Sequence, residues 1–559
     1  GNRVTCRDWF QLCLKEGFTV FRDQEFSADM RSRPVERIKE VRRLWSSQFP
    51  EDAGPLAHPV RPESYITIDN FYTATVYEKG AELVRMMKTL LGPEKFRAAC
   101  DLYFSRHDGT AATVEDFVAA MEEAGEIDLK QFRRWYSDAG TPKIAVEESF
   151  DENTGAYALV LSQRTAPTPG QNEKPARHIP VAYALYGATS GGKLADGLAD
   201  LKRDRERFDA GRFNERPVAS LLTGYSAPVL LEREIALDDR LLLAERDEDA
   251  FNRWAAIEGL WRDLALAFAG AKPMKDKDGA LERFAGALRA SLKDETLDKA
   301  LTAELLRCPS DADLARALDL IDPPAIVAGR AAARERIAEI LQNDLRALYD
   351  GLRSNRPFEP TAEQAGERAL KNAALSLLVT AGESGLALDQ AKTASNMTDE
   401  ASATASLAMS RAPEREAALA RFYERWKGDS LVVNKWLGWS AMAPDSEGAL
   451  ASVENLLRHE AYDGKNPNKV RSVIGVFSRE NLAGFHRADG AGYRFFADQL
   501  LALDKLNPQL AARLSGALDN WRRLEPARRT LAEGELRRVA AAKGISANLH
   551  EMTGRILEG

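Results

Sequence analysis

The sequence predicts a mainly α-helical, multidomain protein with a β-sandwich between two helical parts. The first observation behind this is a change of hydrophobic period. The period is helical up to about residue 140, alternates over about 141–236, and is helical again to the end. The second is composition: residues 237–559 are rich in Ala, Leu, Arg and Glu and are broken only briefly. A length of 559 residues suits roughly three or four domains. The expected domains are 1–140, 141–236 and 237–559, the last an irregular, solenoid-like helical array.

Within 1–140, Asp8 can cap a helix, with Gln11 three residues on. That helix runs through Leu12, Cys13, Glu16 and Val20 towards Phe26. The stretch 49–68 reads as non-helical. A second helix starts near Thr75, carries Leu83, Val84, Met87 and Leu90 on one face, and stops at Gly92-Pro93. A third follows Thr113 with Phe117, Ala120 and Met121. A fourth follows Asp128 with Phe132, Trp135 and Tyr136, and ends at Gly140-Thr141-Pro142.

In 141–236 three apolar sets alternate with polar neighbours: Ile144 and Val146; Tyr157, Leu159 and Leu161; Val181, Tyr183 and Leu185. Turn-like segments at 151–155 and 187–192 separate such runs, the pattern of a β-sandwich. Further on, Leu297, Leu301 and Leu305 form one helical stripe and Ile337, Leu341, Leu345 and Leu348 another. Thr361 to Gln364 reads as a capping box. The charged runs 238–240 and 246–249 read as solvated helix faces.

Composition excludes several classes. The chain has 77 Lys+Arg against 85 Asp+Glu, a net charge of −8, and so no electrostatic footprint for nucleic acid. No stretch approaches the ~18 consecutive apolar residues of a membrane span. Cys6, Cys13, Cys100 and Cys308 form no Cys-x-x-Cys pair, which suggests reduced thiols in a cytoplasmic protein. There is no Gly-rich phosphate loop and no nucleophile elbow. The opening Gly1-Asn2-Arg3-Val4 has neither Met nor a signal pattern, and is expected to be the interior of a longer protein.

Few residues are candidates for chemistry. The nearest two of the six histidines are 27 residues apart, so none has the helical spacing that sets two imidazoles on one zinc. Glu16 has Leu12, Cys13, Thr19 and Val20 as its helical neighbours. A carboxylate there is costly unless it is paired, protonated or bound to metal. Asp23, seven residues later on the same face, can orient a metal ligand. The plainer alternative is a partly exposed Glu16 in a salt bridge. Tyr77 opens an apolar helix, where a phenol can donate to a developing oxyanion or simply pack with its hydroxyl satisfied. Arg471 and Arg513 in the helical array either make surface pairs or hold a carboxylate bidentately.

The run Gly1-Asn2-Arg3-Val4-Thr5-Cys6-Arg7-Asp8-Trp9-Phe10-Gln11-Leu12, continued by Leu14-Lys15-Glu16-Gly17-Phe18-Thr19-Val20-Phe21-Arg22-Asp23, changes this picture. With Ala57-His58-Pro59-Val60-Arg61-Pro62, Asn70-Phe71-Tyr72, Thr75-Val76-Tyr77-Glu78-Lys79-Gly80-Ala81-Glu82, Phe132-Arg133-Arg134-Trp135-Tyr136 and Asn466-Pro467-Asn468, it resembles the bacterial aminopeptidase N family of gluzincin-type zinc peptidases. The resemblance covers the whole chain and is most specific in the first 140 residues.

It implies part of a thermolysin-like catalytic domain, then a β-sandwich, then a superhelical C-terminal domain. It also implies one zinc ion as cofactor, peptide substrates, and a monomer in the cytoplasm. By the same resemblance Glu16 is a zinc ligand, Asp23 supports the ligand set, Tyr77 stabilises the tetrahedral intermediate, and Arg471 and Arg513 meet the far end of the substrate. The family's HExxH helix and its Gly-x-Met-Glu-Asn loop are not found in these 559 residues. The expected function is therefore that of part of a zinc aminopeptidase, inactive and without tightly bound zinc on its own. The competing expectation is a helical-array module that binds peptides or partners without chemistry.

Overall fold

The computed structural model describes residues 3–54, 57–65 and 68–558, so Gly1 and Asn2 of the first motif lie outside the described residues. The chain divides into two compact units, residues 1–257 and 258–559.

In the first unit Asp8 caps as expected, but it caps a short 3-10 turn, Trp9–Gln11, by accepting from Phe10 N at 3.0 Å. The long helix Leu12–Met30 starts after that turn. Gln11 is the hinge between the two. Its amide nitrogen donates to Asp8, and its oxygen accepts from Val114 N at 2.9 Å, tying the helix to Val114–Gly125. That second helix carries the Thr113/Asp116 capping box. The helix Gly80–Leu91 ends at Gly92, whose φ of +77° suits glycine.

Within residues 1–140 three features depart from the sequence reading. The fourth helix shrinks to Arg134–Ser137. The chain bends there to bury Trp135, whose indole N–H donates to the carbonyl of His178 at 2.8 Å. The helices Arg33–Arg43 and Pro93–His107 were not anticipated, and Phe49–Ala53 is helical inside the stretch expected to be non-helical. Pro50 and Pro93 sit in the first turns of their helices, where the missing N–H costs nothing.

The sandwich is as expected from the alternating period. One sheet has the order Arg205–Arg212, Ala156–Arg164, Lys143–Phe150, Leu230–Glu232; the other has the order Lys193–Leu201, Ile179–Gly187, Pro217–Leu221. All neighbours are antiparallel except Lys143–Phe150 with Leu230–Glu232. Leu159, Leu161, Val181 and Leu185 fill the interior.

The run 246–249 is not a solvated face. Asp247 is 2% exposed. Its carboxylate accepts from the Tyr186 hydroxyl (3.0 Å), the Ser220 hydroxyl (2.5 Å) and Asp249 N (2.9 Å). The run links the helices Leu237–Arg246 and Ala250–Phe268, and it turns inward against two sandwich strands to cap the second helix. Asp239 of the other charged run pairs with Arg216.

The second unit is helical throughout, from Lys277–Lys293 through the long Pro323–Gly351 to Ala547–Glu558. Ile337, Leu341 and Leu345 are buried as the stripe requires, and Thr361 caps Ala362–Thr380. No helix among the described residues is long and apolar enough to cross a membrane.

Burial raises the Asp247 carboxyl to about 6, although its hydrogen bonds oppose this. An acid whose folded pKa is raised binds its proton more tightly when folded, so stability should fall as pH rises from about 4 to 6, by at most ~1.4 kcal/mol per unit. Denaturant titrations across that range should show a shallower slope for Asp247→Asn than for the wild type. Parallel slopes would remove Asp247 as the cause.

Candidate active site

Two helices bring the candidate residues together because both carry a glycine where they cross. Glu16 lies on Leu12–Met30, just before Gly17. Tyr77 lies on a five-residue π turn, Thr75–Lys79, which runs into Gly80–Leu91. A Cβ on Gly17 would stand 2.6 Å from the Gly80 carbonyl carbon and 2.8 Å from its oxygen. A Cβ on Gly80 would stand 3.3 Å from the Cys13 oxygen and from the Gly17 Cα. The two backbones are therefore in direct contact, and the side chains flanking the contact share one side of it.

Glu16 and Tyr77 do so. The Glu16 carboxylate is 13% exposed and pairs with Lys15 Nζ at 2.7 Å. It lies against the Tyr77 phenol. Burial first, and the Glu16 charge second, push the Tyr77 pKa up to about 12, so the hydroxyl is a proton donor at neutral pH. The Tyr72 ring stands 6.2 Å from that of Tyr77. The salt bridge of the plainer reading is thus present, and so is the phenol that the catalytic reading requires.

The other candidates are more scattered. The Asp23 side chain is exposed and makes no hydrogen bond or ion pair among the described residues. Arg471 opens the π turn Arg471–Gly475 in the second unit and donates to Asn468 Oδ1 at 3.3 Å. Arg513 lies in the last turn of the helix Pro508–Ser515, and its carbonyl accepts from Arg479 at 2.8 Å. Both arginine side chains are exposed.

Sequence reasoning missed the residues that hold the Tyr77 turn. Lys79, fully buried, donates to Asp52 at 2.6 Å and to the Gly140 carbonyl at 3.1 Å. Glu82 takes a bidentate pair from Arg37 at 2.7 and 2.8 Å, and Arg37 also donates to the carbonyls of Gly224 and Tyr225 in the sandwich. Arg37 thus stitches the helical segment to the sandwich, and Lys79 ties the Tyr77 turn to Asp52 and to the carbonyl of Gly140, just before the sandwich begins. A signal was present in the sequence: glycine is costly inside a helix, and two glycines inside helical runs mark a close approach.

Metal fit is partial. Among the described residues no group of three His, Cys, Asp or Glu side chains can hold an ion. Glu16 suits one place in a ligand set, and the rest of a zinc site is not formed by these residues.

Residues 1–136 match the Peptidase family M1 domain, 140–234 a domain of unknown function with an Ig-like fold, and 237–558 a domain of unknown function described as ARM repeats. Aminopeptidase N of Caulobacter vibrioides is 46% identical over 563 residues, covering 100% of this chain and 64% of the relative. Aminopeptidase N of Escherichia coli K12 is 40% identical over 568 residues, covering 100% and 65%. The crystal structure of Legionella pneumophila aminopeptidase A in complex with aspartic acid aligns with a TM-score of 0.85 at 30% identity, covering 100% of this chain and 64% of that one. The chain belongs to the family of that ARM-repeat domain, its first 136 residues match the peptidase family M1 domain, and over its whole length it is similar to the bacterial aminopeptidases N. It spans just under two thirds of the length of these relatives.

The glycine crossing makes a signed prediction. Alanine normally outranks glycine in a helix by about 1 kcal/mol. At Gly17 the new methyl meets backbone that cannot step aside, so Gly17→Ala should destabilise the first unit by about 1–3 kcal/mol. Gly80→Ala, with its looser contacts, should cost less. Chemical denaturation of both variants measures the order, and a stabilised Gly17→Ala would refute the crossing.

Proposed function

We propose that this chain forms part of a zinc aminopeptidase that removes N-terminal residues from peptides, with Glu16 as one zinc ligand and Tyr77 as the oxyanion donor. The observation that carries the reading is the contact between a half-buried carboxylate and a proton-bearing phenol across the Gly17–Gly80 crossing, inside a stretch matching the peptidase domain. The chemistry a zinc ion would supply there is Lewis-acid polarisation of the scissile carbonyl. Tyr77 keeps its proton and offers it as a hydrogen bond to the carbonyl oxygen as that oxygen gains charge. Lys15, paired with Glu16, holds the carboxylate in place. Asp23 orients a further ligand, and Arg471 and Arg513 receive the carboxylate end of the peptide as bidentate donors.

In the same reading the parts 1–140, 141–236 and 237–559 are catalytic segment, sandwich and substrate-enclosing helical domain, and the protein acts as a cytoplasmic monomer. The remaining metal ligands and the general base would come from the part of the relatives' length that this chain does not span. The 559 residues on their own are then expected to hold no stoichiometric zinc and to hydrolyse no aminoacyl-arylamide above background. Metal analysis that finds one tightly bound zinc per chain would overturn that expectation.

In a protein of the relatives' full length the two substitutions should fail differently. Glu16→Ala removes an anionic ligand, so zinc content and activity should fall together. Tyr77→Phe keeps the ring and should retain zinc and a near-normal KM, while kcat drops about 10²–10³-fold. If both positions were merely structural, Tyr77→Phe would leave kcat unchanged and Glu16→Ala would leave the metal in place. Zinc content and steady-state kinetics of the pair decide.

A further inference from the structure

The π turn that carries Tyr77 is gripped at both ends by two adjacent acids of one short helix, Phe49–Ala53. At its first residue, Glu51 Oε1 accepts from Thr75 N at 2.8 Å and from the Thr75 hydroxyl. At its last, Asp52 accepts from Lys79 Nζ at 2.6 Å, and also from the Thr141 hydroxyl at 2.9 Å and Gly140 N at 3.2 Å. Tyr77 sits midway between the two grips. Thr75 is fully buried, so its N–H and hydroxyl have no water to fall back on if Glu51 is lost.

Glu51 is itself backed from outside. His58 Nδ1 lies 2.7 Å from the Pro59 carbonyl, which can only accept, so Nδ1 carries a proton. The buried Nε2 of the same ring has no hydrogen-bond partner and faces Glu51 Oε1 at 3.7 Å. The Asp52–Lys79 grip is locked in the interior, whereas the Glu51 side chain keeps 23% exposure. Of the two, Glu51 can be altered with less disturbance to the core.

We propose that Glu51 is a positioning residue for Tyr77: through Thr75 it sets the start of the π turn and so the place of the phenol beside Glu16. This rests on the reading of Tyr77 as oxyanion donor, but its first test does not. The 559-residue chain is labelled with 3-fluorotyrosine, and the Tyr77 fluorine resonance is assigned by its loss in Tyr77→Phe. Glu51→Ala and Thr75→Val should shift or broaden that line and leave the lines of Tyr157 and Tyr349 in place. Thr75→Ser, which keeps the hydroxyl, should restore it, and Glu51→Gln, which keeps one acceptor oxygen, should fall between. A Tyr77 line that stays put in Glu51→Ala and Thr75→Val overturns the proposal. So does a change spread over every tyrosine, which would make Glu51 a support of the whole fold.

The second readout is kinetic, in a protein of the relatives' full length. Glu51→Ala should lower kcat about 10–100-fold with KM within about twofold, the signature of a displaced group rather than of lost substrate binding. A raised KM with kcat kept overturns the proposal. If Tyr77→Phe itself leaves kcat unchanged, the reading of Tyr77 as donor falls, while the fluorine line still decides what Glu51 does.

Discussion

Everything proposed for the site depends on two helices touching through bare backbone at Gly17 and Gly80. Helix axes usually lie 8–10 Å apart because side chains fill the gap. Where both partners are glycine the axes can close further, and residues adjacent to the crossing are carried inward with them. Glu16 precedes one glycine by a single residue and Tyr77 precedes the other by three, so the crossing sets their separation. No loop closure or lid is needed to bring carboxylate and phenol together. The pair is assembled by the fold, as pre-organised electrostatics requires.

The charges around this crossing show why the helical segment and the sandwich form one compact unit. Lys79 and Arg37 are buried, Lys79 met by a carboxylate and one backbone carbonyl and Arg37 by a carboxylate and two. Such pairs add little net stability over apolar packing, since desolvation cancels most of the attraction. Breaking one, however, leaves an uncompensated charge. Their effect is to make any other seating of the segment on the sandwich costly. A site held to fractions of an ångström benefits from that discrimination.

The fold class was legible because the alternation of helical and strand segments depends on hydrophobic period, which is a local property. The sandwich strands at Tyr157 and Val181, the Thr113 cap and the stop at Gly92 each follow from a few neighbouring residues. What stayed hidden depends on distant partners. The expected helix after Asp128 gives way because Trp135 finds its acceptor at His178, 43 residues away. Asp247 looked like part of a solvated run, yet it folds under Tyr186 and Ser220. Of the candidate site, Glu16 and Tyr77 were found through motifs, the second of which also contains Lys79 without marking its role, while Glu51 and Asp52 left no local mark. A single acid or lysine reads as surface until its partner is known.

The π turn at Thr75–Lys79 also sets the phase of everything that follows it. Its closing bond runs from Gly80 N to the Thr75 carbonyl, five residues back, so the turn holds one residue more than regular helix would. Excising one residue there would restore ordinary winding but rotate the downstream helix by about 100°. Glu82 would swing away from Arg37, and Arg85 would leave Glu25 and Glu40. The extra residue is thus a phase correction on which the ion-pair lattice is built, and a chain lacking it could not keep both the crossing and the lattice.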